Sequence, residues 1–576
     1  MAMEISRRSF LKGSAAAAVS SILLGSTSIA FADEQKEEAP AKSWRTAPDP
    51  IPESEIVDTL EADVVVLGAG HAGSCCARAA AENGATVILA EKADEAVYMV
   101  FGTEFGHLNS EYTTKTFGYP AVDEGEFFSD YMLRNMYRCN PALVRTYTQQ
   151  SGKTLDWLID NMTDELKAAI STESFPQPKY YTGEQQGQKS WPTMVDLGDT
   201  AAVHKGDIAK MLSCNDANKM LWGTSAEQLV MEGGKVVGAI VKNKDGYIRL
   251  NAKKGVVVAT GGFGANAEMC NDIYRNLIDV FPEDVRDKAD ASFMMSGRDG
   301  KGHQLCVWAG AAWEPDEPAS MVMHPAGQNP FNSPKGAFST VWLNGEGRRY
   351  IAEGGDFQLS SVAGRYGKAN DDASFTVMCV FDSSLLEDLQ YQQNGHATSG
   401  INDAVNGETY AANMKDLMQK CIDSGDEGID LSMMSPMIVY SGETLEQLAD
   451  RMGLTGDVKA NFLDEIARYN EFCKNGVDTD FYKDPSLLLP IEDAPYFGYV
   501  SQQKLNVCLT TLSGVWTDDN QCVLSDETHE PIEGLYATGN VCGRRFIGQY
   551  STSIAGESVG MACTLGKALG EHLASL

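Results

Sequence analysis

Gly68-Ala69-Gly70-His71-Ala72-Gly73 places three glycines at the spacing that cradles a phosphate. The first permits a tight turn, the second lets a pyrophosphate approach the backbone, and the third lets a helix pack closely on a strand. A helix opening there turns its partial positive charge towards the phosphates. Glu91 follows at about the 20-residue spacing expected of a carboxylate that grips a ribose hydroxyl. The chemistry implied is dinucleotide binding. Two more glycine turns repeat the strand-then-turn pattern. Gly261-Gly262 follows Val256-Val257-Val258-Ala259, and Gly539-Asn540 follows Leu535-Tyr536-Ala537.

The elements that must position these turns are legible around them. Asp63 to Leu67 is the short apolar run of a strand buried in a parallel sheet. His71 to Asn83 predicts a helix that Gly84 stops, and Thr86 to Ala90 predicts the next strand, which completes a β-α-β unit. A second sheet region is expected from Ala226 to Ala259, with hairpin turns at Gly233-Gly234 and Asp245-Gly246. Thr444 to Tyr469 predicts amphipathic helices. The chain closes with a strand at Gly534 to Ala537 and a small-residue helix from Glu557 to Leu569. The fold class expected is α/β: a Rossmann-like dinucleotide-binding domain interrupted by an inserted α+β cap. The expected boundaries are 33–57 for a linker, 58–302 and 498–576 for the two parts of the binding domain, and 303–497 for the cap.

Composition limits the partners. The 576 residues carry 46 Lys and Arg against 80 Asp and Glu, a net charge of −34. That excess repels nucleic acid and anionic membrane surfaces. Residues 1–32 read as a targeting signal and not as structure. Ser6-Arg7-Arg8-Ser9-Phe10-Leu11-Lys12 resembles a twin-arginine export motif, a run of small and apolar residues follows, and Ala30-Phe31-Ala32 offers a cleavage site. Export to the periplasm or the outer face of the cell envelope is expected, with no membrane insertion after the signal is removed. Thirteen cysteines show no Cys-x-x-Cys spacing. Most are read as small buried hydrophobes, an iron–sulfur cluster from scattered cysteines is left open, and no metal site is assigned.

Taken together, these motifs make the chain resemble the flavoprotein family of fumarate reductases and succinate dehydrogenases, which also includes urocanate reductases and 3-ketosteroid dehydrogenases. Asp299-Gly300-x-Gly302, Asn344-Gly345-x-Gly347-Arg348-Arg349-Tyr350, Tyr469-Asn470 and Gly476-x-Asp478-x-Asp480-Phe481 carry the likeness further, over roughly residues 60–576. The resemblance implies non-covalent FAD in an extended form with a cap closed over the flavin. It places Gly68, Gly70, Ala72, Gly73, Glu91, Gly106, Ala226, Gly261, Gly262, Asp299, Gly539, Asn540, Ser558 and Val559 around the cofactor. Asn540 stands where the family usually has Glu.

The substrate positions depart from the pattern. Fumarate reductases use two histidines and two arginines, because a dicarboxylate needs cationic partners and its α-carbon needs a proton. His324 matches the first histidine. The proton-donating arginine should fall near Asp356-Phe357, the second histidine near Thr510 and the other arginine near Ser553, and all three are missing. Tyr550, similar in rough position to a substrate tyrosine of the ketosteroid dehydrogenases, is the candidate acid, with Arg365 and Arg545 as rivals. The expected activity is reduction of an activated C=C bond in an enone, unsaturated lactone or aryl-acrylate. Hydride would leave flavin N5 and a protein acid would supply the proton. A separate cytochrome or quinone-linked protein would donate electrons. The alternatives are a 3-ketosteroid-type dehydrogenase and a non-catalytic electron-carrying flavoprotein subunit.

Overall fold

The computed structural model describes residues 43–576 except 173–183, 186–187, 294–297, 322–330, 332–339, 355–361, 392–406, 433–436, 508, 549 and 552–553. His324, Asp356, Phe357 and Ser553 lie outside the described residues.

The longest uninterrupted apolar run forms the centre of the main sheet. Val64, Val65 and Val66 of β1 (Ile56–Leu67) are fully buried, as expected of a strand covered on both faces. Helix α1 (His71–Glu82) returns the chain to β2 (Val87–Ala90), which pairs parallel with β1. A short strand β3 (Glu104–Gly106), helix α2 (Thr200–Cys214) and strand β4 (Lys219–Leu221) follow. β4 and the larger part of α2 fall within residues 205–224, a polar stretch. The meander β5 (Ser225–Glu232), β6 (Lys235–Asn243) and β7 (Gly246–Val258) turns at both predicted hairpins.

The meander is not a second sheet, and this corrects the sequence reading. β7 is 13 residues long, enough to pair antiparallel with β6 at its start and parallel with β1 along its length. One eight-stranded sheet results. It is completed after helix α3 (Lys301–Trp308) by strands from the far end of the chain.

A five-stranded sheet lies in the middle of the sequence, besides two small sheets of three and two strands, the first of which holds β3. The five-stranded sheet contains β8 (Val341–Asn344), β9 (Phe375–Phe381), β10 (Ile429–Asp430), β11 (Ile438–Gly442) and, beyond helix α4 (Gly456–Asn475), β12 (Tyr496–Gln503), in the order β8-β9-β12-β11-β10. Phe462, Ile466 and Tyr469 of α4 pack on Val341, Leu343, Met378 and Val380. Strands and bridges cross both expected edges of the 303–497 segment. β12 runs to Gln503, while Ala311, Trp313 and Ser320 bridge to Ser525, Val515 and Thr511 of the binding half.

The chain then returns to the first sheet with β13 (Cys522–Leu524) and β14 (Pro531–Ala537), and ends in α5 (Glu557–Ser575). The path across this sheet is β13-β14-β7-β1-β2-β4. Its two faces are covered differently. Ala77 and Ala80 of α1, Ile208 and Met211 of α2 and Leu569 and Leu573 of α5 pack over Val64, Val66 and Val257. Val236, Ala239 and Val241 of the meander and Leu305 of α3 cover Val65, Leu67 and Val256. The stretch before β1 is not a free linker throughout. Trp44 is buried and its Nε1 donates to Asp272 Oδ2 at 2.9 Å, because a large aromatic gains more by burial than a polar tether would. Of the twelve described cysteines, ten are buried and none forms a disulfide.

Candidate active site

The dinucleotide loop has the geometry its glycines were read to require. Gly68 sits at φ +100°, and a Cβ on Gly73 would stand 1.9 Å from Gly68 O. Only hydrogen fits there, so α1 starts hard against β1. Gly70 caps α1 with no side-chain hydrogen bond, and a Cβ on it would meet nothing within 4 Å. No side chain caps the first N–H groups of the helix, and the space beside Gly70 is open, as a pyrophosphate approaching there would need. Glu91 accepts from Ala69 N and Ala93 N, each at 2.9 Å, so its carboxylate is fixed beside the loop. Thr224 N donates to Glu91 O, which brings the start of β5, with Ala226, to the same edge.

The second and third glycine turns meet the first. A Cβ on Gly539 would lie 2.9 Å from the Cβ of Ala72, and one on Gly262 would lie 2.2 Å from Thr511 Oγ1. Gly261 is covered by Arg298, and the neighbouring Asp299 accepts from Lys92 Nζ and Lys301 N, each at 3.1 Å. Lys92, Arg298 and Thr511 went unread in the sequence because each is an ordinary polar residue until the fold sets it beside a glycine turn.

The start of α5 carries the remaining predicted positions. Gly556 caps it at φ +74° without a side-chain bond, and Gly106 N donates to Gly556 O at 2.7 Å. Val559 lies against Gly102. Ser558 and Tyr550 come close, and the Ser558 backbone slightly offsets the burial of the phenol. Tyr550 is 1% exposed and lies among Phe546, Ile547, Ile554 and Met561. Burial, with the negative charge of Glu557 next in importance, pushes its phenol well above the ordinary value. It therefore keeps its proton at neutral pH, as a general acid must.

Asn540 is oriented from two sides. Its Nδ2 donates to Thr510 Oγ1 at 2.9 Å, and its Oδ1 accepts from Arg545 Nη2 at 2.8 Å. Arg545 also donates through Nε to Cys542 O, is fully buried, and leaves Nη1 without a partner among the described residues. An orphaned buried donor next to an asparagine expected at the cofactor fits a site that receives an oxygen-rich ligand. These bonds make Arg545 a brace for Asn540. Arg365 lies on a 3-10 turn, Val362–Tyr366, in the cap, where the neighbouring Gly364 presses on Gln503 and Val377. Thr510, near which the second histidine was expected, is neutral and accepts from Asn540. His324 cannot be placed, since it lies outside the described residues.

The glycine loop, the fixed Glu91, the two uncapped helix starts and the orphaned Arg545 donor together fit FAD. Comparisons with known proteins agree. The model of the FAD binding domain family matches residues 63–553, and that of the twin-arginine translocation pathway signal sequence matches residues 4–23. The chain is 26% identical over 534 residues to the vinyl phenol reductase of Lactiplantibacillus plantarum, covering 89% of this chain and 96% of that one. It is 24% identical over 515 residues to a cytochrome-type fumarate reductase of Shewanella frigidimarina, covering 89% and 77%. In fold it is similar to the 3-ketosteroid-Δ4-(5α)-dehydrogenase of Rhodococcus jostii, with a TM-score of 0.61, 20% identity and coverage of 91% and 99%. The chain belongs to the FAD binding domain family, as a fumarate reductase-like flavoprotein exported by the twin-arginine pathway that uses FAD to reduce carbon–carbon double bonds.

Proposed function

We propose that the substrate is a small alkene activated by one carbonyl, of the enone, unsaturated lactone or aryl-acrylate type, and that Tyr550 gives the proton. The observation that carries this reading is Tyr550, buried just before the start of α5, where burial holds its phenol above the ordinary value. FAD, when bound, supplies the hydride. Tyr550 would hold the proton for the α-carbon, and the uncapped α5 N–H groups would favour negative charge developing near them. The shortage of cationic residues at the substrate positions argues for a ligand with little negative charge. Near the expected second histidine stands Thr510, a neutral hydroxyl held by Asn540. The vinyl phenol reductase likeness supports an aryl-substituted alkene.

Anaerobic titration of the reduced protein with cinnamates, urocanate, enones, unsaturated lactones and steroids tests the reading. Flavin reoxidation by a member of the enone, lactone or aryl-acrylate group, lost in Tyr550→Phe, is the result expected. Reoxidation by none of them would defeat it and favour the electron-carrier alternative.

A further inference from the structure

We propose that His71, His204 and Cys563 form a binding site for a borderline-soft divalent cation of the zinc type, independent of the substrate site. One ligand atom from each of the three lies within 4.8 Å of the other two. The donors come from three helices, since His71 opens α1, His204 lies in α2 and Cys563 lies in α5. His204 and Cys563 are completely buried, and His71 is the partly exposed member through which an ion would enter.

The outer nitrogen of each imidazole is already held. His204 Nδ1 lies 2.9 Å from Asp207 Oδ2, and Asp207 is anchored by Arg78 Nη1 at 3.0 Å. His71 Nε2 lies 3.1 Å from both Phe101 O and Gly102 O. A carboxylate and a backbone carbonyl are the two partners that ordinarily fix the far nitrogen of a metal-ligating histidine. Both outer nitrogens face acceptors, so both carry hydrogen. The inner pair, His71 Nδ1 and His204 Nε2, is 2.9 Å apart. Two nitrogens at that separation share one proton between them, and that proton stands where an ion would stand.

The fit needs little movement. Nitrogens bonded to tetrahedral zinc at about 2.0–2.1 Å stand about 3.3 Å apart, so the inner pair must spread by a few tenths of an ångström. Cys75 lies one helical turn beyond His71 on the same face of α1, and its sulfur groups with His204 and Asp207 within 4.8 Å. It is a candidate for a fourth ligand, since both groups share His204. Imidazole with thiolate selects zinc over magnesium or calcium, which prefer oxygen. A bound ion would displace the shared proton and tie together three helices that support the dinucleotide loop.

The test uses the purified FAD-bound protein, treated with chelator, dialysed and titrated with Co²⁺ and then Zn²⁺. Bound metal is measured by mass spectrometry, and cobalt by its ligand-field absorption at wavelengths beyond the oxidised flavin bands. One retained equivalent with a tetrahedral cobalt spectrum, displaced by Zn²⁺, is expected. Cys563→Ser and His204→Gln should abolish it, while Asp207→Asn should weaken it about 10–100-fold. His71→Gln, at the partly exposed member, gives the same readout if a buried variant fails to fold. Absence of retained metal, or equal binding by Cys563→Ser or His71→Gln, would overturn the proposal and leave the cluster a hydrogen-bonded relay.

Discussion

Arg349 Nη2 lies 2.9 Å from Asp478 Oδ2, and neither side chain is exposed. Arg349 also holds Glu353 through Nε at 2.9 Å and Nη2 at 2.7 Å. Two sequence motifs 129 residues apart are thus one buried device that fastens the strand β8 turn to the end of α4. Removing one partner strands the other charge, which costs about 3–5 kcal/mol. Arg349→Met and Asp478→Asn should each lower stability by that order in urea unfolding, and the double change should lose less than the sum.

The same pair sets an acid limit. Burial alone would push the Asp478 carboxyl up, but the hydrogen bond and charge of Arg349 outweigh it and hold it below its ordinary value of 3.8. A carboxyl depressed by folding stabilises fully above that ordinary value and loses its contribution as pH falls through the lower one. Stability should therefore fall below about pH 3.8, and Asp478→Asn should flatten that part of the curve. Parallel acid melts of the two proteins check this.

Gly73 has no room for a methyl group, since its Cβ would stand 1.9 Å from Gly68 O. Gly73→Ala should push α1 away from the loop and yield colourless protein. Absorbance at the flavin bands after purification, beside far-ultraviolet circular dichroism to confirm folding, gives the answer.

Tyr550→Phe should keep the flavin spectrum and lower alkene reduction by about 10²–10⁴-fold, the usual contribution of a general acid. Because burial raises the phenol above its ordinary value of 10.0, the wild-type rate should show no loss of this acid as pH rises to that value. A rate–pH profile of the pre-reduced enzyme measures it.

Fumarate should be a poor substrate, because a carboxylate desolvated without a cationic partner costs several kcal/mol. Steady-state comparison with the best alkene of the panel decides this. Turnover with fumarate at a similar kcat/KM would contradict the neutral site.

Electrons should come from another protein, plausible occupants being a cytochrome or a quinone-linked carrier with a basic docking patch to meet the −34 charge. Alkene reduction should run with reduced viologen and fail with NADH alone. Robust NADH-driven turnover by the isolated chain would contradict it.

What the sequence determined by itself is local. Glycine at 68, 70 and 73 between an apolar run and a helix permits one kind of turn, so the dinucleotide loop, its β-α-β unit and the hairpins at Gly233-Gly234 and Asp245-Gly246 were readable from spacing. The export motif was readable for the same reason, since a receptor reads it as linear sequence. The tertiary structure decided whatever depends on distant residues meeting. Only folding joins β7 to both β6 and β1, sets Arg298 over Gly261, braces Asn540 with Arg545 and buries Tyr550 among Phe546 and Met561. His71, His204 and Cys563 carry no metal-ligand spacing along the chain. Their convergence exists because α1, α2 and α5 pack on one face of the sheet, and packing is set by the summed burial of many side chains and not by any short motif.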